Sequence, residues 1–342
     1  MNVPRLRRDL LRWFARVRRP LPWRRTRDPY AVWVSEMMLQ QTTVSAVIPF
    51  FERFVARFPN VGALAEAGEE SVLSLWSGLG YYSRARNLRL GAKQIMAEYG
   101  GRFPSTVEGA LTLRGVGPYT ARAVTSIAYG TRTAVVDGNV RRVLSRLFAS
   151  RNLSPRTLQQ RADQILARTR PGDWNEAMME LGATVCTPRN PRCGECPVAR
   201  DCAGRSRPHD WTAPKRRPQT EDRVVAIALA ERGNAVVLEQ RADGRLMSGL
   251  FDLPTVGLPG DLRPGETLTA RYRGALKVSA DELLRVRHTI TRYRITATVF
   301  HASVHGRTAP ARFQLVPRGE LASLPLSGLA RKVLRGLGRL PS

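Results

Sequence analysis

Leu113-Arg-Gly-Val-Gly-Pro-Tyr119 lies between two stretches with apolar residues at three-and-four spacing, 85 to 99 and 118 to 129, and so reads as a connection between helices. Its two glycines permit a tight turn, and Pro118 falls where the first residue of a helix tolerates proline. Such a turn points backbone N–H groups out of a helix N-terminus, a seat for a phosphate. A Gly-x-Gly turn also serves as a plain connection, and charge decides between the two uses. The chain has 55 Lys+Arg against 28 Asp+Glu, a net charge of +27 spread through most of its length. A field of that sign draws polyanions, so the turn reads as a helix-hairpin-helix that grips a DNA backbone without reading its sequence. Only four of the basic residues are lysines, Lys93, Lys215, Lys277 and Lys332. Genome composition could account for that preference, but not for the shortage of acids.

Outward from the turn, helical periodicity predicts helices over 43 to 56, 71 to 77, 85 to 99, 118 to 129, 140 to 148 and 157 to 168. At 342 residues there is room for two domains, each with its own core. The first is expected over 1–204. A proline-broken basic stretch, Arg205 to Pro218, cannot hold a helix or a central strand, and 205–222 reads as a linker. From Val224 the pattern turns β-like: 224 to 230 and 235 to 240 flank Gly233-Asn234, a hairpin signal, and 292 to 304 alternates again, which predicts an α+β domain over 223–342. The N-terminus, with Arg5, Arg7, Arg8, Arg12, Arg16, Arg18 and Arg19 among apolar residues, reads as an amphipathic helix without a signal-peptide core. No apolar run reaches the roughly 18 residues of a membrane span. The expectation is a monomer in a reducing, nucleoid-associated cytoplasm, with no membrane partner.

Cys186, Cys193, Cys196 and Cys202 are the only cysteines, all within 17 residues and spaced C-x6-C-x2-C-x5-C. Four thiolates on short loops make a complete ligand set for a [4Fe-4S] cluster or a structural zinc ion, and spacing alone leaves both open. Two disulfides would require an oxidising compartment.

Two carboxylates stand out. Asp137, in Val135-Val136-Asp137-Gly138-Asn139, precedes a helix start, where it or Asn139 could equally serve as an N-cap. Glu36 sits in a helix begun by Asp28-Pro29 and apolar on nearly every face, which implies burial; burial raises a carboxyl pKa and suits a general acid, although one of the many arginines could pair with it instead. Two carboxylates in different environments suit cleavage of a glycosidic bond. A purine of duplex DNA is such a leaving group once it is rotated out of the stack. Gln40-Gln41 and Gly80-Tyr81-Tyr82 are candidates to wedge into the gap.

Leu-Pro-Trp-Arg24, Ser35-Glu-Met-Met-Leu-Gln-Gln-Thr42, Gly78-Leu-Gly-Tyr-Tyr82, Leu-Arg-Gly-Val-Gly-Pro-Tyr119, Val-Asp-Gly-Asn-Val140 and the cysteine spacing together resemble the MutY adenine DNA glycosylases, over about residues 20 to 202. The resemblance implies a mainly α helix-hairpin-helix glycosylase core with an iron-sulfur loop at 186–202, one [4Fe-4S] cluster held by the four cysteines, and removal of adenine mispaired with 8-oxoguanine or guanine in double-stranded DNA. By position, Glu36 would protonate adenine at N7 and later activate water. Asp137 would stabilise the cationic sugar, with Asn139 and Tyr119 completing that pocket. Arg24 and Glu176 would line the adenine pocket, Gln41 and Tyr81 would be the wedges, and Gly115, Val116 and Gly117 would offer N–H groups to phosphate. Arg189 and Arg192 would present positive charge from the cysteine loop.

Related endonuclease III-like enzymes carry a lysine where Tyr119 stands, and that lysine forms a Schiff base. None of the four lysines here falls in a catalytic motif, so the resemblance implies a monofunctional enzyme leaving an intact abasic site. The C-terminal part resembles the MutT (nudix)-like domain with which this family recognises 8-oxoguanine, through Gly249-Leu-Phe-Asp-Leu-Pro254 and Val286-Arg-His-Thr289, but lacks the glutamate-rich box for metal-dependent hydrolysis. Where the family commonly has Phe-Ser-His, this chain has Ile290-Thr291-Arg292. Thr291 could keep the hydroxyl contact, or 290 to 292 could be plain strand. A bifunctional enzyme for oxidised pyrimidines and a non-catalytic DNA-binding protein are the competing readings.

Overall fold

The computed structural model describes residues 1–211, 219–241, 249–258, 264–272, 275–304 and 313–341. Helix α1, Val3–Val17, is capped by the Asn2 side chain and buries Leu6, Leu10, Trp13 and Phe14 on one face, the amphipathic helix expected of this Arg-rich stretch. Helix α2, Pro29–Leu39, begins where Asp28 accepts hydrogen bonds from the backbone N–H of Tyr30 and Ala31. Its residues 32 to 38 are all buried, as a helix apolar on every side must be. There follow α3 (Val44–Arg57), α4 (Val61–Glu66), α5 (Glu69–Trp76), α6 (Ser83–Tyr99), α7 (Val107–Leu111), α8 (Pro118–Tyr129), α9 (Gly138–Leu147), α10 (Pro155–Ile165) and α11 (Pro171–Thr184). The sequence predicts most of these, but not α4, α7 or, of most consequence for the site, α11. That helix buries Asp173, Asn175, Glu176 and Glu180 as well as its apolar residues, so no apolar stripe marks it.

Two compact units result: Met1–Ala67 with Asn87–Lys215, and Gly68–Arg86 with Arg216–Ser342. The sequence-based division at 205–222 leaves residues 68–86 in the first domain, whereas by packing they go with the second unit. Ser77 Oγ donates to the Leu326 carbonyl at 3.0 Å and accepts from Arg331 Nη2 at 3.0 Å. Within the first unit α1, α9, α10 and α11 enclose one core around Leu10, Leu144, Ile165 and Trp174, and Cys186, Cys196 and Cys202 pack against it.

The second unit holds a seven-stranded mixed sheet: β1 (Glu221–Arg232), β2 (Ala235–Gln240), β3 (Phe251–Asp252), β4 (Thr255–Leu258), β5 (Leu276–Ile290), β6 (Tyr293–Val304) and β7 (Phe313–Pro317), with α12 (Pro264–Arg271) and α13 (Gly328–Gly336). The order is β3-β2-β1-β6-β5, with β4 on β1 and β7 on β2, and β1 and β6 run parallel. Strand β1 begins at Glu221, inside the stretch read as linker, whose residues 212–218 lie outside the described residues. Ile227 and Leu229 of β1 join a core under α13, while Ala226, Ala228 and Ala230 join one under α12. A central strand covered on both faces reads as a continuous apolar run, which is what 224 to 230 shows. The hairpin expected at Gly233-Asn234 is present, with Arg232 opposite Ala235. Strand β5 is not among the predicted strands, although 284 to 290 alternates half-buried Leu284, Val286, His288 and Ile290 with exposed Arg285, Arg287 and Thr289.

Candidate active site

A cavity of about 580 Å³ opens in the first unit, and Arg24, Glu36, Gln41, Tyr119, Asp137, Asn139 and Glu176 all line it. They come from separate elements: Arg24 from the short 3-10 turn Pro22–Arg24, Glu36 from mid-α2, Tyr119 from the second residue of α8, Asp137 and Asn139 from the start of α9, and Glu176 from α11. Glycines allow α11 this close approach. A Cβ at Gly182 would stand 2.6 Å from Asn139 Cβ, and one at Gly172 would stand 2.7 Å from the Ser126 carbonyl oxygen.

Glu36 is 6% exposed. No arginine forms an ion pair with it among the described residues; the Tyr119 hydroxyl donates to its Oε2 at 2.7 Å. Burial pushes its pKa up to about 7, against the lowering effect of the Tyr119 hydrogen bond and of Arg24, with Asp137 and Glu176 pushing the same way as burial. Burial also lifts the Tyr119 hydroxyl well above its ordinary value. At neutral pH the pair therefore contains a carboxyl able to give or take a proton and a phenol that stays protonated.

Asp137 both caps α9 and lines the cavity. Its Oδ1 accepts from Val140 N at 2.6 Å, which caps α9, and its Oδ2 accepts from Asn139 Nδ2 at 3.0 Å. Burial raises its pKa, and these donors together with Arg142 oppose the rise by stabilising the carboxylate. Asn139 is held in turn by Arg142 Nη2 at 2.8 Å. Arg142 also reaches the carbonyls of Cys186 at 2.8 Å and Gly182 at 2.7 Å, so one side chain joins the cysteine loop to the Asp137 pocket.

Arg24 forms the floor of a buried ionic network: its Nε donates to Glu176 Oε1 at 2.7 Å and its Nη2 pairs with Glu180 Oε2 at 3.0 Å. The sequence reading includes Arg24 and Glu176 but misses Glu180, Arg19 and Arg142. Glu176 and Glu180 stand one helical turn apart, a spacing that could have flagged the second carboxylate once α11 was known.

The turn between α7 and α8 is the expected hairpin. Gly115 adopts φ +76°, and a Cβ there would stand 2.4 Å from Asn87 Cβ, so no other residue fits. Val116 corrects one expectation: its N–H already donates to the Leu113 carbonyl at 3.1 Å. Gly115 and Gly117 N–H find no acceptor among the described residues.

Gln41, Tyr81 and Thr291 share a feature sequence does not foretell: all three take left-handed backbone angles, φ 60°, 50° and 53°. Non-glycine residues in this region cost energy and concentrate at functional sites. Tyr81, in the second unit, is 51% exposed, with the Arg84 guanidinium 5.4 Å from its ring centre. Residues 290 to 292 are not plain strand. Ile290 pairs with Tyr293, and Thr291-Arg292 form the exposed two-residue turn between β5 and β6.

The four cysteines line one small shared pocket, and all are free thiols. Burial pushes Cys196 up to about 12, and Cys186, Cys202 and Cys193 add to the rise. Thiols that oppose one another's ionisation become thiolates together only against a strongly charged cationic group, which is the chemistry of a metal centre. Among the described residues no group of three or more candidate ligands gathers as one metal ion requires. Arg146, 2% exposed, organises the loop by donating to Cys186 Sγ at 3.2 Å and to the carbonyls of Thr187, Pro188 and Pro208 at 2.8, 3.1 and 2.8 Å.

Comparison with known proteins agrees with this geometry. Residues 34–168 match the HhH-GPD superfamily of base excision DNA repair proteins, residues 186–202 the iron-sulfur binding domain of endonuclease III, and residues 224–336 the NUDIX domain. The chain is 35% identical to the human adenine DNA glycosylase over 98% of its own length and 74% of that protein's, and 36% identical to the mouse enzyme over 98% and 78%. It is 45% identical to the adenine DNA glycosylase of Mycolicibacterium smegmatis over 58% of this chain and 69% of that one. Among solved structures, a thermostable thymine-DNA glycosylase superposes with a TM-score of 0.56 at 29% identity, covering 60% of this chain and 96% of that one. An endonuclease III–DNA complex does so with 0.53 at 22% identity, covering 60% and 97%, a likeness of fold.

Proposed function

The chain belongs to the adenine DNA glycosylases, base-excision repair enzymes that carry a [4Fe-4S] cluster, and from that premise we propose that it removes adenine mispaired with 8-oxoguanine, and also with guanine, as a monofunctional enzyme. Each excision would prevent a G:C to T:A transversion. The observation that carries the proposal is Glu36: buried, near-neutral in pKa, bonded to Tyr119 and sharing its cavity with Asp137.

Adenine, rotated out of the duplex, enters the cavity between Arg24, Glu176 and Glu36. Glu36 gives its proton to N7 as the bond from N9 to the sugar breaks, so the base leaves neutral. The sugar is left as an oxocarbenium-like cation, and the Asp137 carboxylate, fixed by Asn139 and Val140 N–H, stabilises it. Glu36, now ionised and held by the Tyr119 hydroxyl, takes a proton from the water that attacks the sugar. The cavity lining includes no lysine among the described residues, which supports excision without a Schiff base and an abasic strand left intact.

Gly115 and Gly117 hold a backbone phosphate, Gln41 and Tyr81 wedge into the duplex, and the Thr291 turn meets the oxidised base. The sulfurs of Cys186, Cys193, Cys196 and Cys202 hold the cluster, which supplies structure to the loop carrying Arg189 and Arg192; no excision step passes through it. The protein acts as a monomer on DNA in the cytoplasm. The test incubates it with duplexes containing A opposite 8-oxoguanine, A opposite G, and thymine glycol, with and without alkali. Breaks only after alkali, and only in the adenine strand, are expected; alkali-independent breaks abolished by one lysine substitution, or cutting at thymine glycol, would overturn the proposal.

A further inference from the structure

All three nitrogens of the Arg24 guanidinium are engaged. Nε donates to Glu176 at 2.7 Å, Nη2 pairs with Glu180 at 3.0 Å, and Nη1 donates to the Arg19 carbonyl at 3.4 Å. The group lies over the Phe14 ring, 5.5 Å from its centre, and its side chain is only 9% exposed. Glu180 is buried to 1% and binds a second cation, Arg19, through Nε and, at 3.1 Å, Nη2. Glu176 takes a further contact from Arg18 at 3.5 Å.

Charged and titratable groups face the same cavity as Glu36 from every neighbouring element: Arg19 and Arg24 before α2, Tyr119 on α8, Asp137 and Arg141 at α9, and Glu176 and Glu180 on α11. Among them Arg24 is a cation whose charge acts on Glu36, and it lines the same cavity. A guanidinium in a low-dielectric cavity beside a lone carboxyl forms a bidentate ion pair unless stronger partners hold it. Glu176 occupies Nε alone, which leaves the Nη2 end to Glu180.

We propose that Glu180 is a positioning residue for excision: by clamping Nη2 of Arg24 it keeps that guanidinium from pairing with Glu36, so that Glu36 meets adenine as a proton donor. The inference rests on Glu36 being the acid. In this role Glu180 acts through Arg24.

Single-turnover excision on an A:8-oxoguanine duplex, followed across pH, tests it in the cluster-loaded protein. Glu180→Gln keeps the shape but loses the charge that holds Arg24. The alkaline limb of the rate profile is expected to move down by about one pH unit, giving roughly tenfold slower excision on that limb and near wild-type rates on the acid side. In an Arg24→Gln background the same substitution should move nothing further, because no guanidinium remains to be released. Arg19→Gln, at a side chain 38% exposed, removes the competing cation and is expected to leave the limb in place or raise it. Equal loss at every pH in Glu180→Gln, an undiminished shift without Arg24, or a fall in Arg19→Gln would each overturn the proposal. Glu36→Gln is run alongside: if it still excises adenine the acid assignment fails, whereas an inactive Glu36→Gln with an unshifted Glu180→Gln profile sinks only the clamp.

Discussion

Replacing Glu36 by glutamine should abolish excision and at the same time stabilise the protein, by an amount that depends on pH. Burial raises the Glu36 pKa from an ordinary 4.5 to about 7. The sign is opposite to that of a salt-bridged acid. Between these values the unfolded chain releases the proton while the folded chain retains it, so stability falls as pH rises through the window. At about 1.4 kcal/mol per pKa unit the cost is roughly 3 kcal/mol above the folded pKa and vanishes below the unfolded one. Glutamine carries no such cost and keeps an oxygen to accept the Tyr119 hydroxyl. The advantage of Glu36→Gln over wild type should therefore grow by about 2 kcal/mol between roughly pH 5.5 and pH 9. Urea unfolding followed by tryptophan fluorescence can read it, because Trp13, Trp23, Trp33, Trp174 and Trp211 all lie in the first unit. An advantage that stays flat or shrinks across this range would refute the claim that burial holds the acid protonated.

Other outcomes follow from the same contacts. Tyr119→Phe removes the hydrogen bond that lowers the Glu36 pKa, so the alkaline limb of the single-turnover profile should move up while the rate falls moderately. Gly182→Ala drives a methyl group to within 2.6 Å of Asn139 Cβ, and α11 or Asn139 must shift; a loss of about 1–3 kcal/mol in unfolding experiments and a lower excision rate are expected. Arg146→Met removes the donor to Cys186 Sγ and to the carbonyls of Cys186, Thr187, Pro188 and Pro208, and the purified variant should contain less iron and show weaker thiolate-to-iron absorption than wild type. Affinity for duplex DNA should drop steeply as salt rises, as the +27 charge requires.

Much of this was legible in the sequence where local chemistry and position coincide. Asp28-Pro29 fixes the start of α2, and the unbroken apolar character of that helix implies a buried Glu36. The Gly115 turn and the cysteine quartet carry their geometry in their spacing. Less could be read where tertiary packing sets the arrangement. Helix α11 has polar residues on buried positions because partners come from elsewhere in the chain, Arg19 and Arg24 to Glu176 and Glu180, Arg27 to Asp173, and Ser126 with the Thr133 and Val135 backbone to Asn175, so neither the helix nor Glu180 shows in periodicity. Val116 looked like a phosphate donor until the turn closed on its own N–H. The left-handed angles at Gln41, Tyr81 and Thr291 belong to non-glycine residues and have no compositional mark. For Asp137 capping does not compete with the proposed chemistry, since Val140 N–H takes Oδ1 while Oδ2 accepts from Asn139.

Free adenine released from an A:8-oxoguanine duplex, quantified in the same reaction as strand integrity without alkali, tests the central claim most directly when run on wild type, Glu36→Gln and Asp137→Asn. Stoichiometric adenine with an unbroken strand from wild type, and none from Glu36→Gln, with Asp137→Asn strongly impaired, is the predicted result. Adenine release by Glu36→Gln at the wild-type rate, or strand scission keeping pace with base release, would contradict it.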